Sequence, residues 1–253
     1  MRTCFSLFVL ALFSSMARAE DLQLTTPRGA TVHAAVIAPE GRPGKLPALV
    51  LAPGQGYHMD LPLLKDLATA AAARGVIVYR FNWAYFTAVP KGQPADDLHT
   101  EIEDMKTVIE AARKDPRVDA GRIVVAGKSL GTLVSYSIFH ADPAFKGLAL
   151  LTPLCTDPDQ NGKAIGNESY PTFAAETRPM HLTLGNADSL CQLPALYDFL
   201  KDTKGNVSVS VFAGGHSLTF GQPGDPANAE RDARNIGAAV AATSQWIDIL
   251  LGN

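Results

Sequence analysis

The sequence predicts an α/β domain, a mostly parallel sheet of eight strands flanked by helices. Three observations carry that expectation. Short apolar runs rich in Val, Ile and Leu alternate with amphipathic segments of helical period, the pattern of strands covered on both faces by crossover helices. No internal repeat or low-complexity linker interrupts the alternation. One junction, 124–134, reads as a buried strand, then Gly127-Lys128-Ser129-Leu130-Gly131, then the start of a helix.

The elements follow in order. Residues 22–26 and 31–38 alternate as a hairpin turning at Pro27-Arg28-Gly29, and 48–52 is a buried strand. A helix is expected over 61–73, with Asp60 as N-cap, Pro62 in its first turn and Gly75 as its stop. Strand 76–81 precedes a long amphipathic helix over 97–114, ended by Pro116. Residues 123–126 and 129–140 form the strand and helix of the G-x-S-x-G unit. Strands at 147–152, 181–184 and 207–212 alternate with a short helix at 194–201, and a closing helix spans 227–251. One strand near the start is expected to run antiparallel. Fewer than thirty residues, many of them Asp, Asn, Gly and Pro, separate the sixth strand from His181. That is too little for a helical lid, so an open site with little or no lid is expected.

The first residues read as an export leader. Arg2 supplies the charged start, 5–13 a short apolar core, and Ala17-Arg18-Ala19 a small-residue cleavage pattern. This predicts a signal peptide over 1–19, a single domain over 20–253, and a periplasmic or secreted location. The apolar run is too short for a membrane anchor. The whole chain has a formal net charge of −3, which loss of Arg2 and Arg18 makes more negative. With no basic stripe, nucleic acid is not an expected partner. Cys4 leaves with the leader, so Cys155 and Cys191 remain in a compartment that permits disulfides. They follow neighbouring strands by short loops. Strands about 4.8 Å apart bring such loops within the ~5.5 Å Cα separation a disulfide prefers, which predicts a Cys155–Cys191 bond.

The chemistry centres on Ser129. A chain turning sharply from strand to helix crowds the residues two before and two after its apex. Gly127 and Gly131 lack the Cβ atoms that would clash, and the serine is left exposed. A bland alternative is a tight turn carrying a solvated serine. A serine nucleophile needs a base and a group that orients the base. Of the histidines, only His216 follows the last strand directly, in Gly214-Gly215-His216-Ser217. Asp188 follows the seventh strand in a Gly185-x-x-Asp188 turn. Asp157 and Asp159, after the sixth strand, are the alternative acids. An oxyanion hole needs two N–H donors. Leu130 supplies one, and Gln55, in Pro53-Gly54-Gln55-Gly56-Tyr57-His58, is the candidate for the other, with Gly56 next. Gly56, Tyr57 and His58 are candidate substrate contacts. The six histidines fall at no metal-ligand spacing, so no metal or organic cofactor is expected.

On these motifs the chain resembles the α/β-hydrolase superfamily over nearly all of 20–253. Within it, the chain is similar to small hydrolases related to dienelactone hydrolases. Nearer still is the group that includes the hydrolase-like subunit of the NSL chromatin complex. Arg80-Phe81-Asn82-Trp83-Ala84-Tyr85, the G-K-S-x-G elbow, the G-x-x-D turn and Gly214-Gly215-His216-Ser217 carry that likeness. Pro53 departs from it, standing where many relatives have histidine. The resemblance implies the α/β-hydrolase fold and Ser129, Asp188 and His216 as nucleophile, acid and base. The expected protein is a secreted serine hydrolase acting on an ester or related acyl bond of a small molecule. A non-catalytic binding protein on the same scaffold and a peptidase are the alternatives. The oligomeric state is left open.

Overall fold

The hairpin at the start forms from β1 (Ala19–Thr25) and β2 (Thr31–Ile37), turning where Gly29 takes a φ of 84°. The structure is a computed structural model describing residues 19–157 and 159–252. The expected leader, Ala19 apart, lies outside the described residues. β3 (Leu46–Ala52) leads through a loop into α1 (Pro62–Ala73), and β4 (Ile77–Asn82) into a single turn, α2 (Ala84–Thr87), and the long α3 (His99–Lys114). β5 (Val118–Lys128) enters α4 (Leu130–Ala141) through one residue, Ser129. After β6 (Gly147–Leu151) come a small hairpin of β7 (Thr156–Asp157) and β8 (Lys163–Ala164), then α5 (Gly166–Ser169) and a 3-10 turn. β9 (Met180–Gly185), α6 (Leu193–Leu200), β10 (Val207–Phe212) and α7 (Ala229–Leu251) follow.

The eight-stranded sheet has the order β1-β2-β4-β3-β5-β6-β9-β10. β2 pairs antiparallel with both β1 and β4, while every pairing from β4 to β10 is parallel. Only β2 therefore runs against the rest, as the sequence pattern implies. The two sheet faces carry separate cores. Ile123 and Val125 of β5 pack with Met105, Val108 and Val134 from α3 and α4. Val124 and Ala126 pack with Leu63, Leu64 and Leu67 of α1 and Ile236 and Ile247 of α7. Burial on both faces is why the central strands read as unbroken apolar runs.

Two boundaries differ from expectation for a physical reason. Leu61, not Asp60, caps α1, because the Asp60 carboxylate is taken by Arg80. α3 begins at His99 rather than Asp97, whose carboxylate instead receives the His99 N–H at 3.2 Å, before a left-handed Leu98. The segment between β6 and β9 packs beside α4 and α6. Tyr170 and Phe173 pack with Phe199 of α6 and Tyr136 of α4, the Phe173–Phe199 centroids 4.5 Å apart. Cys155 and Cys191 are fully buried and joined by the expected disulfide, 36 residues apart in sequence. No helix among the described residues is long and apolar enough to cross a membrane.

Candidate active site

Ser129 stands at the carboxyl end of β5 with φ 53° and ψ −120°. This backbone conformation costs a non-glycine residue about 1–3 kcal/mol and persists only where its surroundings enforce it. They do so here. A Cβ on Gly127 would lie 2.0 Å from the Gly131 carbonyl oxygen. One on Gly131 would lie 2.5 Å from that of Pro53. The Ser129 N–H stays tied to Leu151 O at 2.9 Å, and the Thr132 N–H closes back on Ser129 O at 2.7 Å.

His216 meets the serine from β10. Its Nε2 lies 2.8 Å from Ser129 Oγ, and its Nδ1 lies 3.0 and 2.9 Å from the two Asp188 carboxylate oxygens. A carboxylate only accepts, so Nδ1 carries the proton and Nε2 is left to accept from the serine hydroxyl. Asp188 is 2% exposed and also receives the Leu190 N–H at 2.9 Å. The β9 and β10 loops meet at Gly185, where a Cβ would stand 2.2 Å from Gly214 O. Asn235 of α7 donates to Ala213 O and Leu218 O, 2.7 Å each, and fixes the histidine loop. Asp157 is occupied elsewhere, accepting the N–H groups of Asp159 and Gln160 in a local turn, and is not brought to His216.

Leu130 is the first residue of α4, so its N–H has no acceptor within the helix. The Gln55 and Gly56 N–H groups make no backbone hydrogen bond among the described residues. Their loop passes close to the nucleophile, for a Cβ on Gly54 would come 3.2 Å from Ser129 Cβ. Tyr57 lines a cleft of about 750 Å³ with Leu61, Ser217, Thr219, Ala233 and Ile236. Burial pushes the Tyr57 phenol up to about 12, keeping it neutral. His58 Nδ1 accepts the Asp60 N–H at 3.2 Å.

Several residues outside the triad and oxyanion motifs hold these groups in place. Trp83 Nε1 donates to Pro53 O at 3.2 Å, Asn82 Oδ1 accepts the Met59 N–H at 2.8 Å, and Arg80 Nη1 reaches Met59 O at 3.1 Å. The Arg80–Trp83 stretch is thus the scaffold of the loop after β3. Tyr170, fully buried, pairs with Thr132 Oγ1 at 2.7 Å and accepts the Leu154 N–H at 2.9 Å, joining the elbow helix to the loop after β6. Its phenol is pushed up by burial. Lys128 is 4% exposed. Its place two residues beyond Ala126, on the same strand face, was the signal for that burial.

Together these groups can activate a serine, stabilise the resulting imidazolium and donate to an oxyanion. Fold and sheet topology define the class, an α/β hydrolase. The chain belongs to the family described as "Alpha/beta hydrolase domain", whose model matches residues 45–248. It is similar to MhqD of Bacillus subtilis (strain 168), named as a hydrolase, at 28% identity over 127 residues. That match covers 49% of this chain and 58% of the relative. Among solved structures it is similar to DcsB, determined in complex with a substrate analogue (TM-score 0.70, 14% identity, 93% of this chain and 100% of that one). It is also similar to XC6422 of Xanthomonas campestris, a serine hydrolase without a lid (TM-score 0.60, 19% identity, 90% and 94%). At these identities the structural likeness speaks for the fold.

Proposed function

We propose that the protein is an exported serine hydrolase that cleaves a neutral ester through a covalent acyl-enzyme. The observation that carries this reading is the unbroken line of contacts from Asp188 through His216 to Ser129. Ser129 Oγ attacks the ester carbonyl while His216 Nε2 takes its proton. Asp188 stabilises the imidazolium. The N–H groups of Leu130 and Gln55, with Gly56 beside it, receive the negative oxygen of the tetrahedral intermediate. Collapse releases the alcohol, protonated by His216. Water, deprotonated by the same nitrogen, then attacks the acyl-serine and frees the acid.

The cleft beside His216 supports the choice of substrate. Its lining includes Asp66, Asp225 and Asp232 and no lysine or arginine, so an anionic substrate would meet repulsion. The leader-like first residues and the buried disulfide together support export. The Arg80–Tyr85 stretch and the Gly-Lys-Ser elbow support kinship with the dienelactone-hydrolase-like and NSL-subunit-like groups.

The test is covalent labelling by a fluorophosphonate, followed by a panel of neutral and anionic esters and matched amides. Ser129→Ala should abolish labelling and lower turnover by roughly three decades or more. Asp188→Asn should lower kcat by about 10³–10⁴ with the fold intact, because the wrong imidazole tautomer is favoured. Labelling that survives in Ser129→Ala removes the assignment, and amides cleaved as fast as esters turn the reading to a peptidase.

A further inference from the structure

Lys128 is not used by the triad, yet it precedes the nucleophile and lies almost wholly inside the protein. It shares the β5 face of Val124 and Ala126, toward α1 and α7. A lysine this deep ordinarily meets a carboxylate or a carbonyl. Among the described residues Lys128 Nζ makes no hydrogen bond and no ion pair. It stands instead over the Tyr57 ring, 5.0 Å from the centroid. Its stem lies against Gly54, where a Cβ would come within 3.1 Å of Lys128 Cδ. Both partners belong to the loop that carries Gln55 and Gly56, and Gly54 itself abuts Ser129.

We propose that Lys128 is a positioning residue for the 53–58 loop. Its stem props Gly54 and its ammonium holds the Tyr57 ring, so the Gln55 and Gly56 N–H groups face the oxygen bound beside Ser129. The role rests on the serine-hydrolase reading above. A cation within about 6 Å of an aromatic centroid is attracted by the ring face, and Lys128 Nζ at 5.0 Å meets that condition. Methionine at the same position would fill the space and lose the hold.

Desolvation pulls the Lys128 ammonium down to about 8, an effect the Asp188 carboxylate opposes. Of the ionisable groups near it, Asp188 on the β9 loop acts on its charge and Tyr57 on the β3 loop lies under it, while His216 on the β10 loop bonds that same Asp188. Asp66 on α1 and Asp232 on α7 line the same cleft as Tyr57. The charge is present below about pH 8 and fades above it. Because the folded value is depressed from 10.5, burying the charged lysine costs stability below pH 8. That cost shrinks as pH rises from 8 to 10.5. Lys128→Met should therefore not lower Tm at pH 7, whereas loss of a packing residue would.

The experiment compares the parent, Lys128→Met, Tyr57→Leu and the double variant. Hydrogen exchange is read at residues 53–58, with kcat, KM and pH profiles on a neutral chromogenic ester. In Lys128→Met the loop amides should exchange about tenfold faster while those of β5 and α4 hold. Its kcat should fall about tenfold, a fraction of the cost of deleting one oxyanion donor, with KM within about twofold. The fall in parent kcat above about pH 8 should vanish in the variant. Tyr57→Leu should loosen the same amides, and the double variant should lose little more than either single one. Unchanged loop exchange and kcat in Lys128→Met, or fully additive losses in the double variant, overturn the proposal. If Lys128→Met does not fold, an unchanged loop in Tyr57→Leu or a parent kcat flat through pH 8–10 does so. Labelling that survives in Ser129→Ala would sink the hydrolase reading instead, and loop exchange would still decide whether Lys128 holds the loop.

Discussion

Two loops converge on the candidate oxyanion site, one from β5 and one from β3, and they are held by opposite means. The elbow after β5 is confined by backbone. Gly127 and Gly131 each face carbonyl oxygens closer than any Cβ could tolerate, and Ser129 holds a costly φ of 53° between them. The loop after β3 is confined by side chains. Trp83, Asn82 and Arg80 bond its backbone, Lys128 lies under Tyr57, and a Cβ on Gly56 would have open space around it. The difference teaches where tolerance lies. Backbone confinement fails as a whole, whereas ties made by side chains can be cut one at a time.

The most severe way to break the comparison is Gly127→Ala. The new methyl would meet backbone on one side and Ser135 Oγ, 2.8 Å away, on the other. A loss of about 4 kcal/mol or more is expected, read by urea denaturation, and Ser129→Ala should show no such loss. A smaller effect is expected from reducing the Cys155–Cys191 bond, which closes a loop of 36 residues and stabilises by roughly 3–4 kcal/mol. The joined loops also share backbone bonds, since Leu190 O accepts the N–H groups of Cys155 at 2.8 Å and Thr156 at 2.9 Å. Reduction should thus lower Tm and trim activity, through slack near Asp188, before the domain unfolds. A parallel assay of turnover and Tm against added reductant separates the two effects. The smallest effect is expected for Gly56→Ala. With φ 65° and nothing within 4 Å, it should cost only the left-handed strain of about 1–2 kcal/mol. A cost near that of Gly127→Ala would mean that the two loops are not held differently.

The elbow was the most legible part of the site because its constraint is local. Five residues must satisfy one turn, and the glycines announce it. His216 and Asp188 were legible for a related reason, since the topology leaves few positions at the carboxyl ends of β9 and β10. The mostly parallel sheet was legible from alternating strands and helices, and an antiparallel strand near the start from the hairpin, whereas the crossover that sets β4 between β2 and β3 was not. The ties on the β3 loop were not legible. Arg80, Asn82 and Trp83 sit more than twenty residues from the carbonyl and amide groups they bond, and no spacing rule links them. Asp60 was misread as a cap because its competitor, Arg80, is equally distant in sequence. Lys128 appeared in the motif without a role, because its partner is a ring rather than a charge.

The scaffold formed by Arg80, Asn82 and Trp83 makes the end of β4 and the loop after β3 a single transferable part. A donor loop grafted onto this protein to alter selectivity would arrive without its supports unless the end of β4 travelled with it. Recombination that crosses over between residues 60 and 80 would separate loop from brace in the same way. The two stretches form one engineering module even though α1 lies between them in the chain.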